Sequence, residues 1–324
     1  VFGDQLSFDN GILTINKDVK KDLESNIEPT LYDYVVHKII AYVETSLHGV
    51  TELYQDLIAF DKKNNYIDAA IYNEIHLLKY EYNITDDYDS YFNSLEKIKK
   101  ENIDNPLATS VMALQAEAIL SQQDNETTSQ QEALDICNEA IKLFPNSIGA
   151  KQCESIRYEI LRKELTLSMQ SVVLPNQEIS ASISYRNLTN PHYRIYKSNK
   201  NELDEFQYKS KQEIVKSLLK KHYIVENEIE LPKEDDYQEH RHDISLPELE
   251  CGTYFIMFSK DGIFSKSDEE LPAIHSFQVS NLSFVTTKEN NDFVIYVLDR
   301  DNGNPVKDVN VNIYKDNYDY KQRR

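Results

Sequence analysis

The chain is poor in glycine and cysteine and lacks tryptophan: 7 glycines and 3 cysteines occur among 324 residues. It contains no glycine-rich phosphate loop and no Gly-x-Ser-x-Gly nucleophile elbow, so the enzyme classes that depend on those motifs are not indicated. Three cysteines in a chain of this length do not make a disulfide framework. The common sequence signatures of a catalytic site are therefore missing.

Long apolar runs are also missing. No stretch approaches the roughly 18–20 apolar residues that a membrane-spanning helix needs. The start, Val1-Phe-Gly-Asp4, lacks the basic residues and apolar stretch of a secretory signal. We expect no membrane insertion by these residues, and we expect an exported form to carry its signal on a further segment.

The charge is strongly one-sided, with a formal net charge of −20 at pH 7. An acidic surface repels phosphate backbones and anionic lipid headgroups, which disfavours nucleic acid and membrane surfaces as partners. A hydrophobic content of 40 % still supports folded cores rather than disorder. The sequence predicts a multidomain α + β protein.

Residues 1–165 are predicted to form stacked antiparallel helical hairpins. Apolar residues recur at helical spacing in successive segments, and the short loops between them make neighbouring helices antiparallel. Thr30 is suited to cap the first helix, and Ser129 with Glu132 resembles a capping box. The segment 133–144 resembles part of a tetratricopeptide (TPR-like) repeat, although no 34-residue period is sustained.

Near Leu165 the apolar periodicity changes from helical to alternating. Several short alternating segments separated by proline and glycine predict an antiparallel β-sandwich over residues 166–280. A helix is expected to be inserted at 211–222. In the segment 178–185 the apolar residues share one face and the serines share the other.

Residues 281–324 are predicted to be the first strands of a further β-sandwich domain. Val294–Leu298 and Val309–Ile313 read as two strands around a turn at Asp301–Pro305. Because an isolated hairpin is only marginally stable in water, we expect this domain to be incomplete within the sequence.

No catalytic, cofactor-binding or metal-binding residue is predicted. His240 and His242 share one face of a strand, but no further ligand completes a metal site, so they are expected to face solvent on an edge strand. Asn73–His76 lacks the second histidine of a zinc-protease helix. The acidic run Glu234–Asp236 lacks the glycine-centred spacing of a calcium loop.

Seven short segments nevertheless occur in an informative order: Pro29–Tyr34, Phe144–Ala150, Leu174–Asn176, Tyr185–Asn187, Tyr193–Tyr196, Leu246-Pro247 with Gly252–Tyr254, and Leu298–Pro305. Each alone is a turn or strand signature. In this order the chain resembles the N-terminal region of bacterial alpha-2-macroglobulin-like proteins, notably the Bacteroides-type ones, over about its whole length. The resemblance implies that the sandwich at 166–280 is of the macroglobulin or fibronectin kind and that residues 281–324 begin a further macroglobulin-like domain.

The resemblance implies a non-enzymatic endopeptidase inhibitor, exported to the periplasm or cell surface and commonly a membrane-tethered lipoprotein. In such a protease trap a bait region is cleaved and the molecule collapses around the protease. Implied partners are proteases and further macroglobulin-like domains of the same chain. Many members carry a Cys-Gly-Glu-Gln thioester, but here Cys251-Gly252 is followed by Thr-Tyr and Cys153-Glu154 by Ser. Neither a thioester nor a bait region is identifiable.

A second hypothesis is a surface adhesion or glycan-binding module. The 22 tyrosines could build an aromatic patch, although most fall on apolar stripes where a ring packs in the core. Aromatic side chains clustered on one concave face would favour this hypothesis. An open apolar face around Phe293, Ile295, Val309 and Val311 would favour the scaffold.

Cys137 and Cys153 are a candidate disulfide. They lie eight residues before and eight residues after Pro145, so two antiparallel helices would hold them at the same height. Both also fall on apolar stripes, and the alternative is a pair of buried free thiols that act as small hydrophobic side chains. We predict contact between them in either case.

Overall fold

A computed structural model of the chain describes residues 6–9, 12–15, 26–43, 49–122, 127–264, 271–289 and 292–313. The chain divides into two compact units, Val1–Arg162 and Lys163–Arg324. The change of periodicity predicted near Leu165 corresponds to the passage from the last helix of the first unit to the first strand of the second. The segment 281–324, predicted as a separate domain, falls within the second unit.

The first unit is helical after a short antiparallel strand pair, and consecutive helices pack on one another. Its elements are β1 (Leu6–Asp9), β2 (Ile12–Ile15), α1 (Leu31–Val43), α2 (Val50–Lys63), α3 (Ile67–Thr85), α4 (Tyr88–Glu101), α5 (Ala108–Ser121), α6 (Thr127–Leu143) and α7 (Ile148–Leu161).

Side-chain caps explain where two of these helices begin. At α1 the Asp33 backbone N–H donates to Thr30 Oγ1 at 3.3 Å, and the Thr30 N–H donates to Asp33 Oδ2 at 2.9 Å. At α7 the Ala150 N–H donates to Ser147 Oγ at 3.1 Å. These bonds satisfy N–H groups that the first turn leaves unpaired. The predicted capping box at Ser129 is wrong, because α6 begins at Thr127 and Ser129 lies inside it.

The second unit contains sheets and two short helices. Its elements are β3 (Glu164–Met169), β4 (Val172–Val173), β5 (Ile179–Arg186), β6 (His192–Ser198), α8 (Lys200–Phe206), α9 (Lys211–Leu218), β7 (Val225–Glu228), β8 (His240–Leu246), β9 (Gly252–Ser259), β10 (Ala273–Val279), β11 (Leu282–Glu289) and β12 (Asp292–Asp299).

Two of the sheets form a sandwich. A three-stranded sheet in the order β3-β5-β8 shares one apolar core with a five-stranded sheet in the order β4-β10-β9-β6-β7. Ile183 and Leu246 come from the smaller sheet, and Ile195, Ile256 and Phe277 come from the larger one. The sandwich was predicted to be antiparallel; one edge differs, because β4 pairs with β10 in parallel.

The larger sheet is covered on its second face as well. Helices α8 and α9 contribute Phe206, Val215 and Leu218 to a second apolar cluster, which contains Phe255 and Met257 of β9. A helix was predicted at 211–222, whereas α9 ends at Leu218 and α8 was not predicted. With both faces covered, all residues from Tyr254 to Ser259 are buried. Each large apolar side chain so buried contributes on the order of 1.5–3 kcal/mol.

The predicted hairpin at 292–314 is only partly present. β12 pairs along its whole length with β11, which precedes it. The turn forms, with the Gly303 N–H donating to Asp299 O at 2.8 Å and the Val306 N–H to Val297 O at 3.0 Å. Residues 309–313 then form no strand, so the predicted second strand is wrong. A single bridge between Leu298 and Pro305 is what remains of that pairing among the described residues.

Gly149 allows α7 to approach α5 closely. A Cβ atom at this position would lie 2.1 Å from Ser110 N and 2.1 Å from Thr109 C, both of which are backbone atoms of α5. We predict that Gly149→Ala destabilises the helical unit by about 1–3 kcal/mol, because the overlap outweighs the better helix propensity of alanine.

Urea unfolding followed by circular dichroism at 222 nm measures this change. Glu154→Ala, at an exposed position of the same helix, is the matched control and should shift stability by less than about 0.5 kcal/mol. A Gly149→Ala protein as stable as the parent would contradict the close approach.

Candidate functional site

The two histidines considered as metal ligands face the sandwich interior rather than solvent. In the register of β8 with β5, His240 lies opposite Tyr185 and His242 opposite Ile183, both of which are core residues. His240 Nε2 lies 2.9 Å from Asp236 Oδ1, so its partner is a carboxylate. β8 is an edge strand as predicted, but the predicted solvent-facing orientation is wrong. Within the described residues, no group of three or more His, Cys, Asp or Glu side chains is arranged to hold a metal ion.

The segment Asn73–His76 lies in α3 and belongs to the interior of the helical unit. Asn73 is completely buried and its Nδ2 donates to Asp61 Oδ2 at 2.8 Å. Burial, together with the nearby charges of Lys79 and His37, lowers the pKa of His76 to about 4. His76 is therefore neutral at pH 7, and its surroundings are those of a packed helix rather than of a zinc site.

The predicted contact between Cys137 and Cys153 is present. Both side chains are completely buried, both are free thiols, and they hydrogen-bond to each other across α6 and α7. That hydrogen bond lowers the pKa of Cys137, which accepts it, and raises the pKa of Cys153, which donates it; burial adds to the rise at Cys153. The disulfide remains a prediction.

Cys251 differs from this pair because it is exposed, immediately before β9. The next residues, Gly252 and Thr253, pair in β9 with Val279 and Gln278 of β10. No glutamine side chain adjoins the thiol in sequence, so the residues around it do not supply the acyl group of a thioester.

The outer face of the three-stranded sheet is polar and slightly concave. A depression of about 570 Å³ lies there. It is lined mainly by short polar side chains, with Ser168, Ser180, Ser182, Asp243 and Ser245 among them and no aromatic residue. Arg241 Nε donates to Ser182 Oγ at 2.6 Å. The aromatic platform that a glycan-binding face would use is not found in this depression.

Strands β11 and β12 form a ribbon that is apolar on both faces; we call it the β11–β12 ribbon. Residues directly opposite in an antiparallel pair share a face, and Phe284 faces Val297 while Val285 faces Tyr296. Phe284 is 69 % exposed and Phe293 is 79 % exposed. Along the described residues no third strand continues this sheet. The ribbon is therefore the strongest candidate for an interaction surface.

Sequence reasoning identified the apolar strand β12 but not its partner. The sequence contained the pattern that predicts β11, because Leu282, Phe284 and Val285 place apolar side chains on both sides of this strand. None of the helices in the described ranges combines the length and apolar character required to cross a bilayer.

The chain shows only limited similarity to known proteins. No family model matches the chain, and no curated protein matches it either. Among solved structures, a segment of native alpha-2-macroglobulin from Escherichia coli spanning domains MG0-NIE-MG1 is 16 % identical, with 45 % of this chain and 48 % of that chain covered and a TM-score of 0.33. A shorter segment of the same protein, NIE-MG1, is 16 % identical, with 45 % and 74 % covered and a TM-score of 0.32.

The chain thus spans about half the length of the first of these structures. Likeness at this TM-score and identity does not establish a common fold, and it does not assign a function to any residue.

We predict that mild oxidation closes the Cys137–Cys153 pair, since the two thiols already touch. Thiol counting under denaturing, non-reducing conditions should fall from three per chain to one, with Cys251 as the remaining thiol. In a Cys153→Ala control the count should stay at two under the same mild treatment. An oxidised parent chain that still shows three thiols would contradict the prediction.

We predict that the β11–β12 ribbon drives self-association of the purified chain. The double change Phe284→Ser with Phe293→Ser should weaken association about tenfold or more, since a loss of about 1.4 kcal/mol corresponds to a factor of ten. Sedimentation velocity at several protein concentrations measures this. Lys288→Ser changes the exposed residue opposite Phe293 and should leave association unchanged; equal effects of both variants would contradict the prediction.

Proposed function

We propose that this chain is a scaffold part of a bacterial alpha-2-macroglobulin-like protease trap of the Bacteroides type. It acts as a non-enzymatic part of an endopeptidase inhibitor, exported to the periplasm or cell surface and lipid-anchored there. The seven ordered sequence segments from Pro29–Tyr34 to Leu298–Pro305 support this relationship. The TPR-like character of the helical hairpins and the macroglobulin-like character of the sandwich belong to the same proposal.

The observation that carries the proposal is the β11–β12 ribbon. A ribbon with exposed apolar side chains on both faces is costly in water unless further β-structure covers it. Macroglobulin-like domains joined in tandem would supply that cover, and a scaffold transmits its function through such contacts. The partners proposed are therefore further domains of the same kind and, through the whole assembly, proteases.

Glycan binding is the alternative, and the surfaces favour it less. The concave depression on the three-stranded sheet is lined by serines and an aspartate without aromatic rings. The exposed phenylalanines lie instead on a two-stranded ribbon with an apolar surface on each side. Such a ribbon suits another protein module better than a sugar ring, which requires polar groups beside the aromatic face.

The test uses the longest natural gene product that contains these residues. It is incubated with endopeptidases, and residual cleavage of a large protein substrate is compared with that of a short peptide. A protease enclosed in a trap should lose most activity on the protein and keep most activity on the peptide, because only the peptide can enter.

Two variants connect this assay to the ribbon. Phe284→Ser with Phe293→Ser should reduce protection of the protein substrate, whereas Lys288→Ser should not. Equal inhibition of both substrates, or no inhibition with clear binding on a glycan array, would refute the trap and, in the second case, support the adhesion module.

A further inference from the structure

Two aspartates in the helical unit are buried without an obvious neutralising cation. Asp33 lies in the first turn of α1 and Asp61 near the end of α2, and both are 0 % exposed. The two carboxyl groups lie within hydrogen-bonding reach of each other, and neither Oδ1 atom has a hydrogen-bond partner among the described residues. Ionised carboxylates offer only acceptors, so a hydrogen bond between two of them requires a proton.

The surrounding donors indicate which aspartate carries that proton. Asp33 Oδ2 accepts from the Thr30 N–H at 2.9 Å and also from the Thr30 hydroxyl. Its place at the N-terminus of α1 favours a negative charge further. Asp61 Oδ2 accepts a single side-chain hydrogen bond, at 2.8 Å from Asn73 Nδ2. Asp61 is therefore the member of the pair that carries the proton.

The pair continues into a network that connects α1 to α3. Asn73 Nδ2 donates to Asp61, and Asn73 Oδ1 accepts a hydrogen bond from His37 Nε2 at 2.7 Å. His37 Nδ1 faces Glu28 Oε1 at 2.8 Å. The network thus runs from the segment before α1, through α1 and α3, to the carboxyl pair between α1 and α2. Every connection in it is a directional polar contact in a largely apolar interior.

We propose that Asp33 and Asp61 share one proton and form a pH-dependent latch that holds α1 on α2 and α3. When the shared proton is present, each carboxyl oxygen in the pair has a partner. When it is lost, two like charges face each other in a buried site, and separation of α1 from α2 relieves that repulsion. The latch therefore stabilises the packing of α1 on α2 and α3 in mildly acidic conditions, and this stabilisation is lost in alkaline conditions.

The direction of the pH effect follows from Asp61. Burial is the main cause that raises its pKa, from 3.8 to about 7; the hydrogen bond with Asp33 and the charge of Asp33 add to the rise, while Asn73 and His37 oppose it. Asp61 thus keeps its proton up to a higher pH in the folded state than in the unfolded state. This contribution to stability is complete below about pH 4, declines as the pH rises, and is lost above about pH 7.

Other titratable groups face the pair from every packed element. Tyr32 of α1 has its pKa raised by burial and by Asp56, Asp33 and Asp61, so it stays neutral in this range. From α3, Asn73 is uncharged, and His76 faces His37 but is neutral above its pKa of about 4. Thr30 is uncharged, and Glu28 pairs with His37. His37 contacts Asn73 and not Asp61, so Asn73 lies between His37 and the carboxyl pair.

The decisive variant is Asp61→Asn in the full chain. An asparagine amide can donate to Asp33 Oδ1 while its oxygen accepts from Asn73 Nδ2, so it mimics the protonated aspartate. Urea unfolding followed at 222 nm, at pH 5.5, 6.5, 7.5 and 8.5, measures the stability of the helices. Between about pH 5 and 7 the unfolding constant of the parent should increase with pH more steeply than that of Asp61→Asn. The difference should reach up to about tenfold per pH unit, which is the effect of one proton.

Two controls separate the latch from general charge effects. Asp56→Asn removes a carboxylate from an exposed position of the same helix and should keep the pH dependence of the parent. Asp33→Asn removes the like charge but leaves Asp61 buried, so it should reduce the extra pH dependence without abolishing it. If Asp61→Asn unfolds, Asp33→Asn still tests the proposal.

A spectroscopic measurement tests the proton directly. The infrared band of a protonated carboxyl should be present at pH 6, disappear by pH 8.5, and be missing from Asp61→Asn. The proposal is wrong if the band is missing from the parent at pH 6, or if both amide variants keep the pH dependence of the parent. It is also wrong if calcium or magnesium stabilises the parent and not Asp61→Asn, because a cation would then bridge the pair.

Discussion

Burial of both faces of the five-stranded sheet is the constraint on which the second unit depends. Strand β9 lies inside that sheet, and its alternate residues point to two different apolar clusters. One face needs the three-stranded sheet and the other needs helices α8 and α9. Because a backbone buried on both sides cannot bond to water, β9 must also pair with strands on both edges. The order of strands, the inserted helices and the sandwich core all follow from this requirement.

The β11–β12 ribbon is also apolar on both faces, but among the described residues it has no apolar layer like those that cover the five-stranded sheet. Its strands pair along their whole length, so the backbone between them is satisfied, yet Phe284 and Phe293 are mostly exposed. The comparison with β9 shows what the ribbon needs: an apolar layer on each face. This is why an interaction between modules explains the surface better than a small polar ligand does.

The helical unit solves the opposite problem, that of polar groups in an apolar interior. Asp33, Asp61 and Asn73 are all completely buried, and hydrogen bonds between them replace water. The thiols of Cys137 and Cys153 are buried as well, but they are small and weakly polar, so they fit without a network. We therefore expect the two pairs to respond to different variables, the aspartates to pH and the thiols to an oxidant.

The sequence by itself determined most of the helices, most of the strands and the Cys137–Cys153 contact, because each depends on local periodicity or on equal distances from one turn. It also indicated that the chain carries no recognisable catalytic motif. Tertiary structure decided which strands pair: β12 joins β11 instead of residues 309–313, and β4 joins β10 in parallel. It also decided that His240 and His242 face inward and that Asp33 meets Asp61. These outcomes depend on contacts between residues far apart in the chain, and local periodicity carries no information about such partners.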